Sequence, residues 1–185
     1  IYGQSLIESG KGNGYNELID ALIRDPENEH ALILMGNHFS HNGDNKTAKS
    51  FFNKALGVNP NNVQGLNNIG GILAKEEKYD DAIRYFELAL EQQPDYTNTF
   101  YGIALSNYKL GKWRKAFNWA IEGLKKGKDK SFNTKLSGLA NSSALEYAKQ
   151  FDWQTAIKPF QNQLEKETGK TVRLELDPTI ETPAH

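Results

Sequence analysis

Four histidines and one Thr-Gly-Lys-Thr run are the residues of this chain whose types most invite chemistry. The run is Thr168-Gly169-Lys170-Thr171. A phosphate-binding loop needs a second glycine five residues before Gly169, and Leu164 stands there. The order is also helix then strand, whereas that loop needs strand then helix. The glycine-rich stretch Gly10-Lys11-Gly12-Asn13-Gly14 falls between two predicted helices and reads as a flexible turn. His30 and His41 share a helical face but lie roughly 16 Å apart at the standard helical rise, too far for one metal ion. His38 and His41 are near neighbours without a matching acidic pair, and His185 lies at the far end. There is no cysteine, which removes disulfides, thiolate metal sites and thiol catalysis. No serine sits in a nucleophile elbow, and no carboxylate pair stands in an apolar setting. The expectation is a chain with no catalytic residue, no metal and no cofactor, which binds instead of catalysing.

Composition narrows the partner. The chain has 185 residues, 22 basic and 23 acidic, for a net charge of −1. A phosphate-neutralising surface needs a basic excess, so nucleic acid is not the expected partner. No run of 18 apolar residues is present, and no membrane-inserted segment is expected. With 38% hydrophobic residues, among them nine Phe, eight Tyr and three Trp, the chain has enough bulk to fold. Lack of cysteine leaves the compartment open, cytoplasmic or periplasmic. The start at Ile1 instead of Met predicts a fragment or a processed form.

The elements that position these residues follow from a repeat. Pro26, Pro60 and Pro94 are spaced by 34 residues, as are Ala48, Ala82 and Ala116, and Leu56, Leu90 and Leu124. Within one period, Leu66, Ile69, Gly70 and Leu73 form a helical stripe, Glu77-Lys78 breaks it, and Ala82, Ile83, Phe86, Ala89 and Leu90 form a second. Pro94 cannot continue the second helix. Each unit is therefore two antiparallel helices, with Gly70 and Ala82 lacking bulk where they cross. Neither helix buries its stripe alone, so the pairs must stack. Ala156 follows Ala116 by 40 residues, which predicts a six-residue helical insertion near residues 128–135. Tyr15 to Arg24 reads as the second helix of an earlier unit, with Tyr2 to Ser9 as its shortened partner. That open end predicts that the natural protein continues upstream.

On these residues the chain resembles the tetratricopeptide repeat family. The turn-and-helix signature reads Glu77-Lys78-Tyr79-Asp80-Asp81-Ala82, then Gly111-Lys112-Trp113-Arg114-Lys115-Ala116, then Phe151-Asp152-Trp153-Gln154-Thr155-Ala156. An earlier copy, Gly43-Asp44-Asn45-Lys46-Thr47-Ala48, departs from the family where Asn45 replaces the aromatic, and a later helix departs where Ala120 replaces a large ring. The resemblance covers roughly residues 1–167 and implies an all-α, right-handed α-solenoid. The expected units are a partial repeat at 1–25, repeats at 26–59, 60–93 and 94–127, and a repeat with the insertion at 128–167. A tail follows at 168–185, where Thr171 to Leu176 alternates like a strand that pairs with another chain or lies along the last helix. Residues 177–185 are expected to be disordered.

The resemblance also implies where a partner sits. In this family the first helix of each pair lines the concave face, so positions beside the core stripe should face a groove. These are Asn37 and His41 in the first full unit, Gln64, Asn67, Asn68 and Lys75 in the second, Asn98, Tyr101, Tyr108 and Lys109 in the third, and Asn141 and Lys149 in the fourth. Asparagine amides both donate and accept, which suits an extended backbone, and tyrosine offers flat area with a polar tip. The three lysines favour an acidic ligand. Some members hold chaperone C-termini through two asparagines and three basic residues. The aligned positions here are Ile33, Asn37, Asn68, Asn98 and Gly102, so both asparagines match and every basic position fails. The expected function is a scaffold that binds a peptide or protein segment. The alternatives are an accessory helical domain of a larger enzyme, and a self-assembly module joined through open solenoid ends or the tail strand.

Overall fold

The computed structural model describes residues 13–150, 153–172 and 174. Its described residues form nine α-helices and no strand: α1 (Asn13–Arg24), α2 (Glu29–His41), α3 (Asn45–Val58), α4 (Val63–Lys75), α5 (Tyr79–Gln92), α6 (Thr97–Lys109), α7 (Trp113–Lys126), α8 (Asn133–Ala148) and α9 (Trp153–Thr168). Each helix packs on the next along the chain, the contact order of a helical solenoid. The predicted Tyr2–Ser9 helix, the Gly10–Gly12 stretch, Phe151-Asp152 and residues 177–185 lie outside the described residues.

Local chemistry sets the boundaries. The Asn28 side chain accepts from the Ala31 amide at 3.0 Å, and Asn62 accepts from Gly65 at 2.6 Å, so equivalent asparagines cap α2 and α4. Pro26, Pro60 and Pro94 sit in the links just before α2, α4 and α6. The turns inside the pairs need a left-handed residue at one place: Gly43 has φ +82°, Gly111 has φ +70°, and Glu77 is held at φ +62° between them.

Packing sets small residues of one helix against rings of the next. A β-carbon on Gly70 would meet the Phe86 ring at 2.8 Å, and Gly36 faces Phe52 in the same way. In the next unit both members change together. Ala104 takes the glycine position and Ala120 the phenylalanine position, and both are fully buried. The missing ring leaves room for the extra methyl. Phe117 instead meets Phe160 edge to face, with centroids 4.6 Å apart. One core cluster centres on Phe52, Ile69, Phe86 and Ile103, and another on Phe117, Leu136, Phe160 and Leu164. Leu90 and Trp119 pack against both and make the core continuous.

The extra residues between α7 and α8 form a 3-10 turn at Lys130–Phe132, and α8 has 16 residues where α6 has 13. The link is pinned to the preceding unit. The buried Thr97 hydroxyl oxygen accepts from the Asp129 amide at 2.9 Å, and Lys128 Nζ lies 2.5 Å from Asp95 Oδ2. At the other end, Gly169 with φ +66° stops α9. The Val172 amide then donates to Glu165 Oε1 at 2.9 Å, and Leu174 is buried in the second core cluster. Of the expected strand, Thr171 to Leu176, the described residues 171, 172 and 174 do not lie in a strand. Buried apolar side chains draw this part of the tail along the last helices.

Candidate functional site

Helices α2, α4 and α6 each bury one stripe and leave a neighbouring face uncovered. A cavity of about 370 Å³ runs across α4 and α6, reaches Ser40 on α2, and is backed by Tyr79 and Phe86 of α5. Its floor is apolar: Ile72 and Phe86 are buried there, and half-buried Leu105 adjoins them. Gly102 opens that floor, because a side chain at this position would collide with the Phe86 ring.

Asn67, Asn68, Lys75, Asn98, Tyr101 and Lys109 of the predicted set line this one cavity. They are not equivalent. Asn67 is only 4% exposed, and its Oδ1 accepts from the fully buried Thr99 hydroxyl at 3.0 Å, so it ties α4 to α6. Asn68 Nδ2 donates to Asn37 Oδ1 at 2.7 Å, which ties α2 to α4 and fixes the orientation of both amides. Asn98 is half-buried, and its side-chain amide makes no hydrogen bond among the described residues. Tyr101 rests on Phe132 with centroids 6.1 Å apart, and Lys135 Nζ stands 6.0 Å from its ring. Lys75 and Lys109 are exposed in the last turns of α4 and α6.

The remaining predicted residues do not line it. His41 and Gln64 are exposed on α2 and α4. Tyr108 packs against the second core cluster. Asn141 lines a separate cavity of about 520 Å³ with Asn133, Lys170 and Thr171. Lys149 pairs with Glu146 at 2.7 Å, so an acidic neighbour already answers its charge. Sequence reasoning missed the floor formed by Ile72 and Phe86, having assigned Phe86 wholly to the core. The glycine at position 102 was the available signal for it.

The other chemical leads take structural roles. The Thr168 hydroxyl donates to the Leu164 carbonyl at 2.8 Å and Gly169 ends a helix, so the Thr-Gly-Lys-Thr run sits at a helix C-terminus, the wrong dipole end for phosphate. His38 Nε2 lies 3.1 Å from Asn42 Nδ2, and its ring meets Tyr15 with centroids 4.8 Å apart. Among the described residues no three His, Asp or Glu gather as a metal site would require, and no helix is long and apolar enough to cross a membrane. His185 lies outside the described residues.

Comparison with known proteins gives the same fold. The profile described as Tetratricopeptide repeat matches residues 29–62 and again 63–96. Photosystem I assembly protein Ycf3 of Acaryochloris marina is 36% identical over 110 residues, covering 55% of this chain and 63% of Ycf3. The chain thus spans less than two thirds of that relative. Among solved structures, MamA 41-end from Desulfovibrio magneticus RS-1 superposes with a TM-score of 0.71 at 18% identity, over 92% of this chain and 94% of that one. YrrB, described as a TPR protein with an unusual peptide-binding site, superposes at 0.64 and 17% identity, over 82% and 75%.

Proposed function

For this chain, which belongs to the tetratricopeptide repeat family, we propose that the groove across α4 and α6 grips an extended segment of a partner protein. A protein-interaction scaffold is the proposed function, and the groove residues are its means. The observation that carries the reading is the asymmetry of the asparagines: Asn37 and Asn68 lock each other in place, while Asn98 presents an unengaged amide beside an apolar floor. A peptide backbone needs a donor and an acceptor from a fixed amide, and its side chains need an apolar recess. The YrrB peptide site and the assembly role in the name of Ycf3 support a binding role of this kind. Catalysis is not part of the reading: besides amides, tyrosines and lysines the lining holds Ser40 and Ser106, and the Ser106 hydroxyl donates to the Gly102 carbonyl instead of to a base.

The groove is not built to hold a chaperone tail through a basic clamp. Ile33, at one clamp position, is 1% exposed, and Gly102, at another, has no side chain. Amidating the C-terminus of an acidic chaperone-tail peptide should leave its titration with the chain unchanged, and a loss of binding on amidation would overturn this exclusion.

The groove itself is tested with Asn98→Ala/Tyr101→Ala beside a control on exposed Glu87, Glu87→Ala. Proteins captured from lysate should be lost with the groove variant and retained with the control, with unchanged circular dichroism for both. An identical capture profile for all three proteins would move the site elsewhere.

A further inference from the structure

We infer that the occupant of the groove is an acidic segment carrying two Asp or Glu side chains two or three residues apart, one for Lys75 and one for Lys109. This rests on the groove reading above and names the chemistry of its ligand.

Among the described residues several lysines outside the groove are already paired and others, such as Lys115 and Lys166, are not; what sets Lys75 and Lys109 apart is that both border one cavity. Lys49 and Lys78 meet Glu76, Lys112 meets Asp80, Lys125 meets Glu167, Lys128 meets Asp95 and Lys149 meets Glu146. Lys75 and Lys109 form no ion pair among the described residues, and no Asp or Glu lines the cavity they border. The chain as a whole carries a net charge of −1, so this positive patch is local. A groove with two unanswered cations and no anion favours a negative ligand and raises its rate of capture.

Spacing then narrows the ligand. Lys75 and Lys109 hold the same place in successive units, 34 residues apart, at the ends of α4 and α6. Neighbouring helix axes lie about 8–10 Å apart. An extended chain rises about 3.3 Å per residue, so two or three residues cover that step. One carboxylate has its two oxygens too close together to serve both helices without drawing the two flexible lysines inward. Two side chains at that spacing meet one lysine each, and the residue between them faces the recess over Ile72 and Leu105. Both lysines stand in the last turns of their helices, where a cation is favoured.

The experiment uses the whole chain and a displayed library of random peptides, each prepared with a free or an amidated C-terminus. Peptides enriched in acidic pairs at the stated spacing should bind regardless of amidation and weaken as salt rises. Lys75→Ala/Lys109→Ala should weaken them at least tenfold, and Lys75→Arg/Lys109→Arg should retain them. Three results overturn the inference and differ in what else they remove. Neutral peptides that depend on Asn98 and Tyr101 but not on the lysines leave the groove in place and remove the acidic ligand. Loss of binding on amidation assigns the lysines to a chain terminus instead. Peptides indifferent to Asn98→Ala/Tyr101→Ala, or no enrichment at all, remove the groove reading together with this one.

Discussion

Phe86 of α5 lies beneath Gly102 of α6, and a β-carbon on that glycine would stand 2.5 Å from the ring's Cζ. The same ring blocks Gly70 on α4, so one phenylalanine spaces both first helices that form the groove.

Gly102→Ala should therefore destabilise the chain. Overpacking costs about 1–3 kcal/mol, and relief of glycine's helix penalty returns about 1 kcal/mol. The expected net loss is up to about 2 kcal/mol, read as a lower urea midpoint. Gly138→Ala is the counterpart: Gly138 is exposed in α8 with nothing near its missing side chain, and the change should stabilise by up to about 1 kcal/mol. Equal effects at the two sites would refute the packing account.

Asn67→Ala is expected to cost about 1–3 kcal/mol, because it strands the buried Thr99 hydroxyl. A double-mutant cycle with Thr99→Val should show coupling between the two. Asn98→Ala, at an amide with no side-chain partner among the described residues, should stay within about 0.5 kcal/mol of the parent. Additive losses at Asn67 and Thr99 would dissolve the proposed tie between α4 and α6.

Glu77→Gly should raise stability by about 1 kcal/mol, since Glu77 occupies a left-handed turn position that glycine fills at 43 and 111. The side chain is exposed, so little is lost with it. Thermal unfolding of the variant and parent checks this; a lower midpoint would contradict it.

Acid should weaken the fold through a small set of carboxylates. The Thr47 contacts hold the Asp44 carboxyl below its ordinary value of 3.8, the Lys128 ammonium does so for Asp95, the Ser131 contacts do so for Asp129, and Lys78 lowers Glu76 from 4.5. A carboxyl group whose value is lower in the folded state stabilises it above the unfolded value. That contribution is lost as pH falls through the folded value. Stability is thus expected to hold down to about pH 5 and to decline below about pH 4. Asp95→Asn, which removes one of the charges, should flatten the acid limb in calorimetric scans from pH 7 to pH 3. An unchanged limb would mean that other groups carry it.

The periodic columns made most of the fold legible. Helix pairing, stacking and the small residues opposite Phe52 and Phe86 all follow from residues that recur at 34. The site was less legible because groove and core share a helix. Asn67 and Asn68 are adjacent in sequence and both line the cavity, yet one is interior and tied to Thr99 while the other is held at the surface by Asn37. A step of about 100° around a helix separates those fates, and periodicity does not resolve it. Lys75 and Lys149 are alike in sequence for a similar reason, but Glu146 pairs with only one of them.

The sequence alone determined that this chain is a stack of paired helices, because a repeated amphipathic stripe has no other way to leave water. Tertiary structure decided which polar groups remain unengaged once the pairs are stacked. Hydrogen bonds and ion pairs act over a few ångströms between units far apart in the chain, and only their packing states which ones are already spent.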